Sequence, residues 1–418
     1  MPSSKLYFDR SVSCAGRGAL VAATAMLSLE LSRIIDATVE SERPSLAKLS
    51  RDIHANPELR FQEHKASGWI AELLRSRGYE VEHGLAGMPT ALRAGKKGKA
   101  NGPKVAIVGE YDALPEIGHA CGHNLIATSA VGAFLAAASV VDQVDGEVVF
   151  LGTPAEEGGG GKIKMLEAGV FDGLDAAMMF HPFDRDMLAH TALASLWLAM
   201  TFKGQPAHAA AAPHDGKSAL QACMDTFRLI DGQRVRFRDG VRVHGYITNG
   251  GQAVNIIPEL ASCELSVRAR ETNELTRVRG IVERCAKAAA LASEVDVEIV
   301  ARQGYRDMRN NMTLARAFGQ HLGSLGRSAR ETDDRVGAGS TDMGDVSHVV
   351  PSIHPYLAIV DENEALCHQH AFAGAAASDR GFATAIEAAK ALARTAVEVL
   401  ADEPLRTAVR AEWNDSRA

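Results

Sequence analysis

Five short clusters of thiol, imidazole and carboxylate carry the chemistry legible in this chain. After the apolar run Val105–Val108 come Gly109-Glu110-Tyr111-Asp112 and then His119-Ala120-Cys121-Gly122-His123-Asn124. After Val148–Leu151 come Pro154-Ala155-Glu156-Glu157 and four glycines; after Ala177–Phe180 comes His181-Pro182. Past Tyr356–Val360 and an acidic loop come Cys367, His368 and His370. Nitrogen, oxygen and sulfur donors together suit Zn²⁺ or a neighbouring divalent transition metal. Taken singly, each cluster has a plain reading. A Cys or His beside a strand is usually structural, paired glutamates are often solvated, and a glycine run is often only a turn. Their coincidence at the ends of successive strands favours a metal site. Two adjacent carboxylates also resist joint ionisation unless a cation neutralises them.

A cation in such a site lowers the pKa of a bound water and polarises a carbonyl. Hydrolysis then needs a carboxylate that moves the water's proton to the leaving group. In the Glu156-Glu157 pair, one residue is free to ligate while the other acts as base. Asp112 is placed to orient His123 or another ligand from behind. Hydrolysis is the reaction class these residues serve.

The elements that must position these clusters follow from pattern. The four apolar runs read as buried parallel strands. Between them lie helical stretches at Leu125–Val140, Lys162–Ala168 and Phe382–Leu400. An earlier helical region, Leu46–Arg77, is interrupted at Asn56-Pro57. Alternating strands and helices predict an α/β catalytic domain, a mostly parallel sheet with helices on both faces. Ligands bind such sheets at the carboxyl ends of the strands. The middle differs: strands at Ser195–Lys203, Gly240–Thr248, Ala261–Ala269 and Val295–Val300 enclose helices at Ser218–Ile230 and Glu274–Leu291. That strand–helix–strand–strand–helix–strand order predicts an inserted ferredoxin-like α+β domain. The expected division is an extension over residues 1–25, a catalytic domain over 26–192 and 304–418, and an insert over 193–303.

At 418 residues the chain suits two domains. Hydrophobic residues are 46%, charged residues 23%, and the net charge is −7. No basic block is present, which argues against a nucleic-acid or anionic-membrane partner. No apolar run is expected to reach the roughly 18–20 residues of a spanning helix. Six cysteines without regular spacing suit free thiols in a reducing, cytoplasmic setting. Apolar Gly18–Leu29 follows Arg10 and Arg17, but Asp9 and an unbroken helical pattern beyond Met26 favour an extension over a cleaved signal.

With these residues in hand, the chain resembles the aminoacylase and carboxypeptidase-like metallopeptidases of family M20, in their auxin-conjugate amidohydrolase subfamily. The resemblance spans about Leu46 to Val399. It rests on Asp52–Leu59, His119–Asn124, Pro154–Gly158, Gly204–Ala210, Gly250–Pro258 and Gly339–Gly344. Gly109–Pro115 is most similar to the p-aminobenzoyl-glutamate hydrolase and β-alanyl-dipeptide hydrolase branch. The resemblance implies Cys121, His123, Glu157, His181 and His368 as metal ligands, for one or two Zn, Mn or Co ions per subunit. It implies Glu156 as general base and Asp112 as the aspartate behind a ligand. It also implies that His208 steadies the oxyanion from a partner subunit, that Asn255 contacts substrate from the insert, and that Ser340 and Thr341 lie at the substrate. A homodimer through the inserted lid, acting on a small carboxylate-bearing substrate, follows.

Departures bear on substrate rather than metal. Glu110-Tyr111-Asp112 stands where many relatives carry Asp-Met-Asp, Asn124 where they carry Asp, and Gln369-His370 follows the last ligand. His370 is expected to be a surface histidine. The leading expectation is cleavage of the amide of a small N-acyl or N-aroyl amino acid or dipeptide. The alternative is release of ammonia from an amino-substituted aromatic acid, of nitroanthranilate type. A third is an inactive member that binds a small acid, against which the retained Glu156 argues.

Overall fold

The structure is a computed structural model that describes residues 27–333 and 339–417. The expected extension over 1–25, with Cys14, lies outside the described residues. Among these, strands and helices are numbered along the chain.

Strands β1 (Val81–His83), β2 (Leu92–Lys97), β3 (Lys104–Glu110), β4 (Glu147–Thr153) and β5 (Ala176–Met178) join β13 (Ser352–Ile353) in a six-stranded sheet, ordered β1-β2-β4-β3-β5-β13. The β4–β3, β3–β5 and β5–β13 pairings are parallel, and β1–β2 and β2–β4 are antiparallel. Every residue of β4 is buried, as its unbroken apolar run requires.

Helices α1 (Leu29–Ala55), α3 (His123–Ala138) and α10 (Asp379–Ala401) form a layer beside this sheet. α1 is capped by Ser28, whose hydroxyl accepts from Leu31 N. It ends at Asn56, and α2 (His64–Ser76) follows. α3 is buried on every side. Its closeness to α1 and α10 depends on Gly132, where a Cβ would lie 2.9 Å from Leu46 Cδ1 and 3.3 Å from Ala389 Cβ. The mostly apolar character of α3 corrects one expectation: the stretch over residues 123–143 is long and apolar enough to span a bilayer, but it is almost wholly buried inside the molecule.

The middle of the chain forms a four-stranded antiparallel sheet of β7 (Ala194–Lys203), β9 (Arg242–Asn249), β11 (Leu260–Ala269) and β12 (Asp296–Tyr305), ordered β12-β7-β11-β9. Helices α5 (Ala219–Gln233) and α6 (Thr272–Ala292) pack on it. Alternate residues of β7 turn inward, so Leu198, Met200 and Phe202 meet Ala222, Val267, Val278 and Val282 in a separate apolar cluster. The element order is the one the alternation pattern predicts.

Two short ribbons complete the strands. β8 (Ala207–His208) pairs antiparallel with β10 (Ile256–Ile257). β6 (His181–Phe183) pairs parallel with β14 (Tyr356–Ala358). This second ribbon departs from the expectation that all four apolar runs belong to one sheet. The β5–β13 ladder ends at Met178 and Ile353 and resumes as β6–β14 at His181 and Tyr356; Pro355, which has no N–H to donate, lies in the gap. The remaining helices are α4 (Gly161–Glu167), α7 (Met312–Ser324), α8 (Met343–Ser347), α9 (His370–Ala376) and α11 (Glu403–Asp415).

Candidate metal centre

The site is built past the ends of β3 and β4, where β6 begins at His181 and where the loop before α9 returns. α3 begins at His123, directly after Gly122. Gly122 has φ 76°, and a Cβ there would lie 2.6 Å from Pro182 Cγ. Only glycine lets the Cys121 and His123 segment close onto the His181 strand.

Hydrogen bonds fix the imidazole tautomers. His123 Nδ1 donates to Asp112 O (2.9 Å) and lies 3.1 Å from Asp112 Oδ1. Its Nε2 is buried without a hydrogen-bond partner, 3.5 Å from Glu110 Oε2. His181 Nδ1 donates to Pro182 O (2.7 Å), and its Nε2 faces Cys121 Sγ at 3.4 Å. In both rings the backbone holds the proton on Nδ1, leaving Nε2 with a lone pair free to ligate. Asp112 also accepts Glu157 N (2.9 Å) on Oδ2, tying the β3 and β4 loops together. His368, at φ 68°, brings Nε2 to 3.3 Å from Glu157 Oε1.

Candidate ligand atoms fall into four groups, each within 4.8 Å: Cys121 with His181 and Cys367; Cys121 with Glu157 and His368; His123 with Glu156 and Glu157; Glu110 with Glu156 and Asp342. The first three share members, so Cys121 and Glu157 each lie between two groups. The fourth is occupied differently. The wholly buried Lys162 donates from Nζ to Asp342 Oδ1 (2.7 Å) and pairs with Glu110.

Electrostatics reflect this crowding of carboxylates. Burial, then Glu110, Glu157 and Asp342, push the Glu156 carboxyl well above its ordinary range. Burial opposes ionisation of Asp112, but His123 and the Glu157 N–H hold its carboxyl below the ordinary range. Burial and the nearby His123 push His181 down to about 3, which keeps it neutral and able to ligate. Cys367, burial and the two glutamates push the Cys121 thiol up in the chain alone. A bound cation reverses that logic and favours the thiolate. Buried His123 Nε2 and Glu157 Oε1, both without hydrogen bonds, point the same way. The residues present fit a divalent transition metal.

A cavity of about 850 Å³ borders this cluster, lined in part by Cys121, Glu156, Glu157, His181, Ser340, Thr341 and His368. Thus the structure gathers the five implied ligands, the implied base, Asp112 and two of the three implied substrate contacts. His208 and Asn255 are not among the residues that line this cavity. They sit exposed on the β8–β10 ribbon, where Ala209 N donates to Asn255 O (3.0 Å). His208 Nδ1 accepts from Ala210 N (3.2 Å) and Ala211 N (3.1 Å), so the neutral ring carries its proton on Nε2. His370 is exposed at the start of α9.

Sequence reasoning missed Lys162, a helix-start lysine that nothing local marks as buried. It also missed Tyr305, whose hydroxyl donates to Glu156 O (2.6 Å) from the end of β12, and Arg185, which borders the cavity and pairs with Asp184 (2.7 Å) and Glu362 (3.1 Å). Arg185 follows Asp184 directly, the one local signal available.

An α/β core that gathers such a donor set at its strand ends defines a metal-binding hydrolase of carbon–nitrogen bonds. Comparison with known proteins names the family. The chain belongs to peptidase family M20/M25/M40, whose model matches residues 106–395. It is 37% identical over 396 residues to the Xaa-Arg dipeptidase of Mus musculus, covering 90% of each chain. It is 34% identical to a p-aminobenzoyl-glutamate hydrolase polypeptide of Escherichia coli (strain K12), over 71% of this chain and 66% of that one. A dinuclear metal-binding peptidase of the M20 family from Bacillus subtilis shares the fold, with a TM-score of 0.67 at 23% identity over 86% of this chain and 99% of that one.

Proposed function

We propose that this enzyme cleaves the amide of a small N-acyl or N-aroyl amino acid or dipeptide, using Glu156 as general base. The observation that carries this reading is the convergence of Cys121, His123, Glu157, His181 and His368 on one cavity that Glu156 also borders. The relatives named for dipeptides and for p-aminobenzoyl-glutamate support the substrate class. Cys121, His123, Glu157, His181 and His368 would hold one or two divalent cations. Zn²⁺, Mn²⁺ or Co²⁺ bound there supplies polarisation of the amide carbonyl and a water acidic enough to react at neutral pH.

The chain's own groups do the rest. Asp112 holds His123 in the ligating tautomer and anchors the Glu157 backbone. Glu156 takes a proton and passes it to the leaving nitrogen; burial and its carboxylate neighbours raise its carboxyl, and a cation beside it would restore the ionised form a base needs. The Ser340 hydroxyl is buried without a partner at the cavity and offers the substrate a hydrogen bond. Residues 193–303 act as a lid and dimerisation domain on a catalytic domain of 26–192 and 304–418. Through that dimer, His208 donates from Nε2 to the oxyanion of the neighbouring subunit, with Asn255 beside it on the substrate. The five free cysteines of the described residues suit a reducing compartment, and we place the enzyme in the cytoplasm.

Glu156→Gln tests the assignment, with freed amino acid and freed ammonia assayed separately. The variant should lose about 10²–10⁴-fold in turnover while keeping its metal content. Equal loss of metal would make Glu156 a ligand instead. Ammonia without freed amino acid in the wild type would move the reaction to an aromatic carbon.

A further inference from the structure

One cysteine at the centre has no role in the reading above. Cys367 precedes His368, and two consecutive residues in extended chain point to opposite sides. Here the left-handed turn at His368 (φ 68°) lets both converge. The turn is pinned by His368 N donating to Ala120 O (2.9 Å), which lays the 367–368 segment against the residue before Cys121. As a result the Cys367 Sγ lies within 4.8 Å of both Cys121 Sγ and a ring nitrogen of His181. Cys121 Sγ and His181 Nε2 are themselves 3.4 Å apart. Cys367 borders the cavity on one side and packs against the Phe183, Met187 and Tyr356 cluster on the other. Both thiols are free.

We propose that Cys367 is a sixth metal ligand, so that Cys121, Cys367 and His181 Nε2 form a two-thiolate, one-imidazole subsite for a thiophilic cation. The proposal rests on the metal-centre reading above and extends it. Three protein ligands of this kind leave one tetrahedral position open, which is the arrangement of a catalytic rather than a structural Zn²⁺ site. Two thiolates select Zn²⁺ or Co²⁺ over Mn²⁺, whereas a subsite of carboxylate and imidazole alone discriminates less. Binding releases one proton from each thiol that ligates. The apolar wall behind Cys367 keeps water from competing on that side.

The test uses the full chain, stripped of metal and loaded with one equivalent of Zn²⁺ or Co²⁺. Zn-edge X-ray absorption of the wild type should show about two sulfurs per ion at ~2.3 Å; one sulfur overturns the proposal. In the Co²⁺ form, Cys367→Ser and Cys367→Ala should each lose about half of the near-ultraviolet thiolate-to-cobalt band. That is one Co–S bond out of two. Both variants should bind Zn²⁺ about tenfold more weakly, with Mn²⁺ affinity changed less than about threefold. An unchanged band and Zn²⁺ affinity, with Cys121→Ser still abolishing most of the band, would leave the metal centre in place and remove Cys367 from it. No band in the wild type at all would instead remove the metal-centre reading on which the proposal rests.

Discussion

Lys162→Met takes one buried positive charge from beside the proposed base. Lys162 is fully buried at the start of α4; its ammonium serves Asp342 Oδ1 at 2.7 Å and Glu110, and its backbone N–H serves Asp342 Oδ2 at 3.0 Å. Methionine keeps the aliphatic stem and removes only the cation. Glu110 and Asp342 then face each other within 4.8 Å, with Glu156 equally near. Two ionised carboxylates at that distance repel by about 3.5 kcal/mol at an effective dielectric constant of 20. This agrees with the roughly 3–5 kcal/mol lost when one partner of a buried pair is removed. Burial opposes the charge on Lys162, but Asp342 and Glu110 hold its pKa above the ordinary 10.5, so the ammonium stays charged throughout pH 5–8. All pH dependence of the deficit therefore comes from the carboxylates. Burial already raises Glu110 and Glu156 in the wild type, and without the cation the variant holds protons on this cluster more tightly still, so its deficit grows by about 1.4 kcal/mol per pH unit for each extra proton it holds. Equilibrium urea unfolding of the metal-free protein at pH 5, 6, 7 and 8 measures this. The loss should reach about 3–5 kcal/mol at pH 8 and shrink toward pH 5, and Asp342→Asn on top of Lys162→Met should recover part of it at pH 8. A deficit equal at every pH, or below about 1 kcal/mol at pH 8, would mean that Lys162 matters only as packing.

Glu63 gives a pH dependence of its own. It is buried and accepts Phe61 N, Ala155 N and the Thr90 hydroxyl; burial and then Asp112 push its carboxyl up to about 7. A carboxyl raised by folding stabilises below the unfolded value near 4.5, and that stability is lost as pH rises through about 7. Glu63→Gln keeps both N–H bonds on its amide oxygen and, with the Thr90 bond reversed so that its NH₂ donates to the hydroxyl, carries no charge, so it should match the wild type near pH 4 and exceed it by roughly 1–3 kcal/mol at pH 8. Thermal midpoints that fall in parallel with pH would show that Glu63 does not titrate in this window. For the dimer, inactive His208→Ala mixed with inactive Glu156→Gln should regain about a quarter of wild-type activity after subunit exchange, since half the dimers are mixed and each carries one intact site. Exchange without recovery would place His208 in its own subunit's site or outside catalysis.

What the sequence made legible was whatever a short segment states by itself. Val105–Val108 and Val148–Leu151 announce buried strands through β-branched runs, and both lie in the central sheet. The alternation of Ser195–Lys203 reports one face on a core, and β7 has it. Glu156 and Glu157 are legible because they lie just past the end of β4, and Cys121 and His123 because they close the short loop between β3 and α3. Lys162 was not legible, because its burial is set by Glu110 and Asp342, 52 and 180 residues away. The break between β5 and β6 was missed because the apolar run Ala177–Phe180 looks continuous, and the proline in the gap, Pro355, lies between the partner strands far along the chain. α3 misleads in another way. Helices α1 and α10 and the strands enclose it, so its composition approaches that of a bilayer-spanning helix while its surroundings are protein.

The two segments that deliver adjacent functional pairs share one device. Ala155, just before Glu156-Glu157, has φ 60°, and His368, second of the Cys367-His368 pair, has φ 68°. Neither is glycine, and a left-handed non-glycine residue costs on the order of 1–3 kcal/mol unless its surroundings impose it. Here they do. Ala155 N donates to Glu63 Oε1 (3.0 Å), Ala155 O accepts Gly159 N (3.1 Å), and His368 N donates to Ala120 O (2.9 Å). The reversal serves geometry that a strand cannot provide, since consecutive strand residues diverge. After it, Glu156 and Glu157 both lie within 4.8 Å of His123, while Cys367 and His368 both lie within 4.8 Å of Cys121. Glycine would adopt either turn without strain, but in the unbound chain it would also let the pair drift apart. The hydrogen-bonded, strained turns keep four adjacent candidate donors converged in the chain alone, so a cation bound there would not have to order them.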